Sequence, residues 1–291
     1  MRNPLMLSAG ILGLSAPLLK RVYEGGAGAV VTKSIGPKPR PGYPNPTVVA
    51  LEYGLLNAMG LPNPGADDFS EELRSLKGSI VPIVASIFGE KAEDYVEVAK
   101  KMMSAGAAAI EINCSCPNVE EIGLLGQDPA MIEKITRMVK SAVDVPVFTK
   151  LTPNVADIVE MARAAERGGS DGITAVNTLK AMAVDIETCR PVLANVTGGL
   201  SGPALKPVAL RCVWEIAESV DIPIIGCGGV SGWRDAVEFL LCGASAVQVG
   251  TAIMDHGVDI FKEITNGLEE YLRVKGFRSV GEVVGRAHGK A

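Results

Sequence analysis

The sequence predicts an α/β protein, a single (β/α)8 barrel of the TIM type spanning residues 1–291. Three observations carry this expectation. Eight short apolar runs rich in Val, Ile or Ala lie along the chain, each bounded by Gly, Pro or Asp, which suits strands buried on both faces of a parallel sheet. Amphipathic stretches with apolar residues at three- and four-residue spacing separate many of them. The same helix–turn–strand junction recurs as AGAAAI (105–110), GGSDGI (168–173) and CGASAV (242–247). Eight such units in a chain of this length match a closed barrel. A doubly wound sheet is the runner-up, but its first turn usually carries Gly-x-Gly-x-x-Gly, and SAGILG (8–13) fits that poorly.

In chain order the strand runs are PLMLSAG (4–10), AGAVVTKSI (27–35), PIVASIFG (82–89), AAIEINCS (108–115), PVFTKLT (146–152), GITAVNT (172–178), PIIGCGGV (223–230) and AVQVGTAIM (246–254). Helical patterns include residues 91–107, 128–143, 154–169 and 206–220, and Gly often follows the last apolar residue as a helix stop. Two segments are too long to be simple connections. Residues 36–80 follow the second strand and contain GPKPRPGYPNP, and residues 179–205 follow the sixth and contain TGGLSGP. Read as insertions on the side where barrel sites lie, they are expected to cover the site.

The bulk properties exclude several classes. The formal net charge is −5, with no Lys/Arg-rich run, so neither a nucleic acid nor an anionic membrane surface has an electrostatic footprint here. No apolar stretch has the length of a bilayer span, and MRNPLMLSAG lacks the pattern of a secretory leader. A soluble, cytoplasmic protein is expected. The cysteines at 114, 116, 189, 212, 227 and 242 form no Cys-x-x-Cys, and with His256 and His288 the only histidines no zinc spacing can be drawn. Free thiols in a reducing compartment follow.

In a barrel the C-terminal ends of the strands build the site. Here they carry Ser8, Ala9 and Gly10; Lys33 and Ser34; Ser86; Asn113 with Cys114 and Cys116; Lys150; Asn177 and Thr178; Gly228 and Gly229; Gly250 and Thr251. A lysine within an apolar run is costly unless its ammonium meets an anion, and two of them point to an anionic ligand at the barrel mouth. The bland alternative is a lysine reaching the rim to solvent. Asn113 and Asn177 offer amides to a planar heterocycle, or cap their own turns. Glycine pairs after the seventh and eighth strands stand where barrels often hold phosphate. No side chain transfers a hydride. A phosphate site with lysines, amides and a loop cysteine therefore suggests flavin mononucleotide (FMN), with the protein binding and orienting it.

On these residues the chain resembles the class 1 dihydroorotate dehydrogenases, and within them the 1B subclass, the FMN-containing catalytic subunit of the NAD-linked enzyme. The motifs are VTKSI with Lys33, LLNAMGLPNPG (55–65), EINCSCPN (111–118), KLTPNVADIV (150–159), AVNTL (175–179), NVTGGLSGPALKPVAL (195–210), PIIGCGGV and GASAVQVGTA (243–252). They cover nearly the whole chain, and TGGLSGPALKP is the most specific to 1B.

The resemblance implies oxidation of dihydroorotate to orotate in pyrimidine biosynthesis. Cys116 would take the proton from C5 while a hydride passes from C6 to FMN. Lys33, Asn57, Met59, Gly60, Leu61, Asn113, Asn118, Asn177 and Thr178 would hold the substrate. The FMN site would draw on Ala9, Gly10, Lys33, Ser34, Ser86, Asn113, Lys150, Val176, Gly202, Gly228, Gly229, Gly250 and Thr251, with Lys150 favouring the anionic reduced flavin. A partner subunit carrying FAD and a [2Fe–2S] cluster would pass electrons to NAD⁺, in a heterotetramer built on a homodimer of this chain. Cys114 could pair with Cys116 as a redox sensor instead of leaving it to catalysis. Ala9 and Ser86 depart from the serine and asparagine usual at those positions. The first strand run starts almost at once, where the family commonly has an N-terminal hairpin before it, which leaves open whether Met1 is the true start. The competing functions are a related FMN barrel acting on another dihydropyrimidine, and a non-catalytic barrel that binds a phosphorylated ligand.

Overall fold

The computed structural model describes residues 1–114 and 125–289. The strands in chain order are β1 (Leu5–Leu7), β2 (Ala29–Val31), β3 (Val48–Leu51), β4 (Gly54–Asn57), β5 (Ile83–Ile87), β6 (Ala109–Asn113), β7 (Val147–Leu151), β8 (Gly172–Ala175), β9 (Leu179–Ala181), β10 (Val184–Asp185), β11 (Arg190–Pro191), β12 (Gly198–Ser201), β13 (Ile224–Cys227) and β14 (Ala244–Val249). Eight of them close a parallel barrel in the order β1-β14-β13-β8-β7-β6-β5-β2. The doubly wound alternative is thereby excluded.

The strands are shorter than the apolar runs that announced them. In AGAVVTKSI the regular strand stops at Val31, because the Thr32 hydroxyl donates to the Lys33 carbonyl at 2.8 Å and accepts from the Ser86 amide at 3.0 Å. Lys33 and Ser34 thus stand on a loop above the barrel. The end of AVQVGTAIM is likewise a short helix, Ile253–His256.

Two helix starts follow side-chain chemistry. Asp128 caps the helix Pro129–Lys140 by accepting from Ala130 and Met131, and Pro129 occupies the first turn, where its missing N–H costs nothing. Asp157 does the same for Ile158–Arg167. That helix therefore starts after residue 154, where the pattern placed it. Asn154 instead binds the loops, donating to Thr178 O at 3.0 Å and accepting from Lys180 N at 2.8 Å.

Alternation along each strand divides the core in two. Ile110, Ile112 and Cys114 face the helices, while Ala109 lies in the lumen with Met6, Ala29, Val84, Ile225 and Ala246. This apolar plug fills the lower barrel. One pleat higher the lumen turns polar, with Glu111, Lys150, Thr174 and Gln248, all buried. Cys227 lies one pleat above Ile225 on β13.

The segments between β2 and β5 and between β8 and β13 meet in a second sheet, ordered β3-β4-β12-β9 and antiparallel. Its central pairing sets Asn57 opposite Gly199. The sequence pattern did not predict this sheet.

Candidate active site

A cavity of about 470 Å³ opens at the C-terminal end of the barrel strands, inside the range of about 300–1,000 Å³ usual for small-molecule sites. Its walls come from both sheets. The barrel side contributes Ala9, Gly10, Lys33, Ser34, Asn113, Lys150, Val176, Asn177, Thr178, Gly228, Gly229, Gly250 and Thr251. Asn57, Met59, Gly60, Leu61 and Gly202 line the other side, from the second sheet and its flanking loops. Of the residues singled out in the sequence, Cys116 and Asn118 lie outside the described residues. Ser86 is in place but does not line the cavity. It is fully buried, and its hydroxyl lies 2.9 Å from that of Ser34, which stands between it and the opening.

One wall is a run of side-chain hydrogen bonds. Asn113 donates to Ser34 Oγ at 3.0 Å and accepts from Asn177 Nδ2 at 3.2 Å. Asn177 Oδ1 in turn accepts from the Thr178 amide at 2.8 Å. Tyr95 fixes the end of β6 by donating to the Asn113 carbonyl at 3.1 Å. The two asparagines therefore enter the site with their amides oriented, because the hydrogen-bond pattern fixes which end is oxygen.

The opposite wall is backbone. Gly228 and Gly229 have φ of 128° and 78°, a region costly for any side chain. A Cβ on Gly229 would lie 2.7 Å from the Lys206 amide and 2.8 Å from the Gly202 carbonyl. The loops pack backbone against backbone, which leaves main chain to face a ligand there. Lys206 braces this corner through Asp235 at 2.7 Å and Glu238 at 2.9 Å. The second sheet is tied down by Thr251, whose hydroxyl donates to Ser201 at 2.9 Å, and by Asn57, which donates to Gly199 O at 3.2 Å.

The two lysines differ. Lys33 is buried on its loop, and its Nζ approaches the Gly10 carbonyl at 3.4 Å. Lys150, on β7, is 4% exposed and already faces protein groups. Its Nζ donates to Gln248 Oε1 at 2.9 Å and lies 3.6 Å from Glu111 Oε1. Burial works against its charge, but Cys227 and Glu111 outweigh burial and raise its pKa above the usual lysine value. The sequence argument assigned both lysines to ligand anions and missed Glu111. The signal was present: in AAIEINC the glutamate shares the parity of Asn113, so a residue pointing into the site implies a carboxylate pointing into the lumen below it.

Cys114 turns out of the barrel. It is fully buried among core residues on the helix side, and burial pushes its thiol up to about 12. A thiol so held is not ionised near neutral pH and does not act as a thiolate nucleophile. Iodoacetamide at about pH 8, below the ordinary thiol pKa of about 8.5, should leave Cys114 unmodified in the folded protein and label it on unfolding. Peptide mass mapping reads the difference, and labelling of Cys114 in the native state would contradict the assignment.

The sequence profile described as dihydroorotate dehydrogenase matches residues 1–272. The chain belongs to the dihydroorotate dehydrogenase family. Among curated proteins it is 51% identical to a relative from Pyrococcus horikoshii, over 98% of this chain and 94% of that one. It is 52% identical to one from Methanothermobacter thermautotrophicus (99% and 95%) and 51% identical to one from Methanosarcina acetivorans (99% and 93%). Each of the three is named dihydroorotate dehydrogenase B (NAD(+)), catalytic subunit. The matched residues include both sheets.

Proposed function

We propose that this chain oxidises dihydroorotate to orotate in pyrimidine biosynthesis, as the FMN-bearing catalytic subunit of an NAD-linked enzyme. The observation that carries this reading is one cavity that collects two buried lysines, two oriented asparagine amides and a glycine-built wall. Those groups fit the parts of FMN. Gly228, Gly229, Gly250 and Thr251 suit its phosphate, and Ser34, Asn113 and Lys150 suit the polar edge of its ring. Bound FMN supplies the acceptor for the hydride leaving C6 of the substrate.

The chain's own residues do the rest. Lys33 meets the substrate carboxylate, a charge-assisted contact that fixes its place in the cavity. Asn57, Asn113, Asn118 and Asn177 hold the ring for removal of the C5 proton. Cys116 takes the C5 proton as general base, a role open to a thiol because its ordinary pKa of about 8.5 lies close to neutral pH. The second sheet narrows the opening and keeps water from the ring.

The electrons leave through a second subunit carrying FAD and a [2Fe–2S] cluster, which passes them to NAD⁺. The words "catalytic subunit" and "NAD(+)" in the relatives' names support that route. Two copies of this chain would join the partner subunits in a heterotetramer. A cytoplasmic site suits the free thiols, and no helix among the described residues is long and apolar enough to cross a membrane.

The test is anaerobic mixing of the purified, FMN-loaded chain with dihydroorotate. Loss of the flavin absorbance is expected, with artificial dyes reduced and NAD⁺ left unreduced until the partner is added. A flavin that stays oxidised would refute the activity. Rapid NAD⁺ reduction by the single chain would refute the partner route, and full-rate fumarate reduction would place the chain outside the 1B subclass.

A further inference from the structure

Below the cavity floor lies an ionisable group that the proposed reaction does not use. Glu111 is fully buried in the lumen, does not line the cavity, and sits mid-strand on β6. Isolating a carboxylate in such a place is costly, and a well-packed apolar pair would often be at least as stable as a buried ion pair. Its surroundings are built in detail. Oε2 accepts from Gln248 Nε2 at 2.6 Å and from Thr174 Oγ1 at 3.0 Å. Oε1 makes no hydrogen bond among the described residues and lies 3.6 Å from Lys150 Nζ.

Gln248 joins the two charges. Its carbonyl accepts from Lys150 and its amide donates to Glu111, so one side-chain dipole lies between cation and anion in the sense that favours both. Strands β6, β7, β8 and β14 each contribute one member, and the barrel's register fixes their spacing. Only Lys150 and Gln248 of this group reach the cavity.

We infer that Glu111 is a positioning residue that holds Lys150 protonated and aimed at the cavity, so that the bound cofactor meets a fixed cation. The inference rests on the reading that the cavity holds FMN. A lysine in a buried site without a carboxylate loses its proton readily, and its amine would then gain or lose charge as the flavin changed redox state. Among the described residues the titratable groups that face Lys150 are Glu111 from β6 and Cys227 from β13, with Lys33 lining the same cavity from beyond β2. Glu111 is the carboxylate of this set, and it lies below the cavity lining.

The experiment counts protons. FMN-loaded protein is reduced electrochemically at a series of pH values up to about 9, where an unpaired buried lysine loses its proton, and proton uptake is taken from the slope of the potential against pH. Wild-type protein should take up one proton per two electrons throughout, because the reduced flavin stays anionic beside a permanent cation. In Glu111→Gln, Lys150 is neutral in the oxidised protein at the alkaline end and regains its proton when the flavin becomes an anion. Uptake there should rise to two protons per two electrons. The double variant Glu111→Gln/Lys150→Met should return to one.

An unchanged count in FMN-bound Glu111→Gln would overturn the inference. So would an extra proton that persists in the double variant, since it would then belong to another group. If Glu111→Gln fails to fold, the wild-type count still decides, because a second proton there in the same range means that Lys150 is not held charged. Wild-type protein that binds no FMN would instead refute the functional reading, a separate outcome visible in the absorbance spectrum.

Discussion

Replacing Cys116 by alanine should slow reduction of the bound flavin by dihydroorotate by about 10²–10⁴-fold, the usual contribution of a general base, while FMN remains bound. Cys116 lies outside the described residues, so its assignment rests on its place in the chain and on the family. It stands three residues after Asn113, which ends β6 at the cavity, and two after Cys114, which lies in the core. Rapid mixing under anaerobic conditions isolates the step, since flavin bleaching needs no electron acceptor. Cys114→Ala should leave the rate within a small factor of wild type, because its thiol is buried on the far side of the strand. It should also cost some stability through the small cavity it opens. If Cys114→Ala abolished bleaching while Cys116→Ala did not, the assignment of the base would be wrong. The pH profile provides a second check. A thiol base gives a rate that rises with pH toward its own ionisation, and that rise should vanish in Cys116→Ala.

Replacing Lys150 by methionine should destabilise the protein by about 3–5 kcal/mol, the penalty for leaving one member of a buried pair without its partner. The methionine fills much of the same volume, so the loss is electrostatic, not a cavity effect. Glu111 would keep its bonds from Gln248 and Thr174 and lose the cation 3.6 Å away. The double variant Lys150→Met/Glu111→Gln should recover a large part of the loss, because no uncompensated charge remains. That recovery is the coupling energy of the pair, read from a double-mutant cycle in chemical denaturation. The measurement belongs on protein freed of FMN, since a ligand that binds only the folded state adds its own stability. Additive losses in the two single variants would show that the pair is not coupled.

The barrel was legible because each of its strands is an apolar run between Gly, Pro or Asp, and a strand buried on both faces admits few polar residues. The ends of those runs were less so. VVTKSI continues the apolar pattern while Thr32 ends the regular strand with side-chain bonds to the main chain. The second sheet was not legible at all. β4 and β12 pair across more than a hundred residues, each is four residues long, and GGLS has no alternation to read. The site was legible where a polar residue stands at the end of an apolar run, as Lys33, Asn113 and Asn177 do. It was not legible one pleat lower, where Glu111 and Gln248 look like interruptions of a strand until closure of the barrel brings them together. The two-residue period also separates Cys114 from its neighbours. Adjacent in sequence to Asn113, it lies on the other side of the sheet.

Closure of the barrel by β1 against β14 has a consequence for how the protein comes into being. Leu5 pairs with Val247 and Leu7 with Val249, so the first strand to be synthesised waits for the last. A chain emerging from the ribosome at about 5–20 residues per second therefore leaves one edge of β1 open until nearly the whole length is made, while β2 already lies between β1 and β5. The groups assigned to the phosphate, Gly250 and Thr251, follow immediately after that final strand. The rest of the cavity wall comes from earlier residues, so the site is complete only when this last part is in place. A ligand that needs the complete site therefore stabilises the closed barrel and not its precursors.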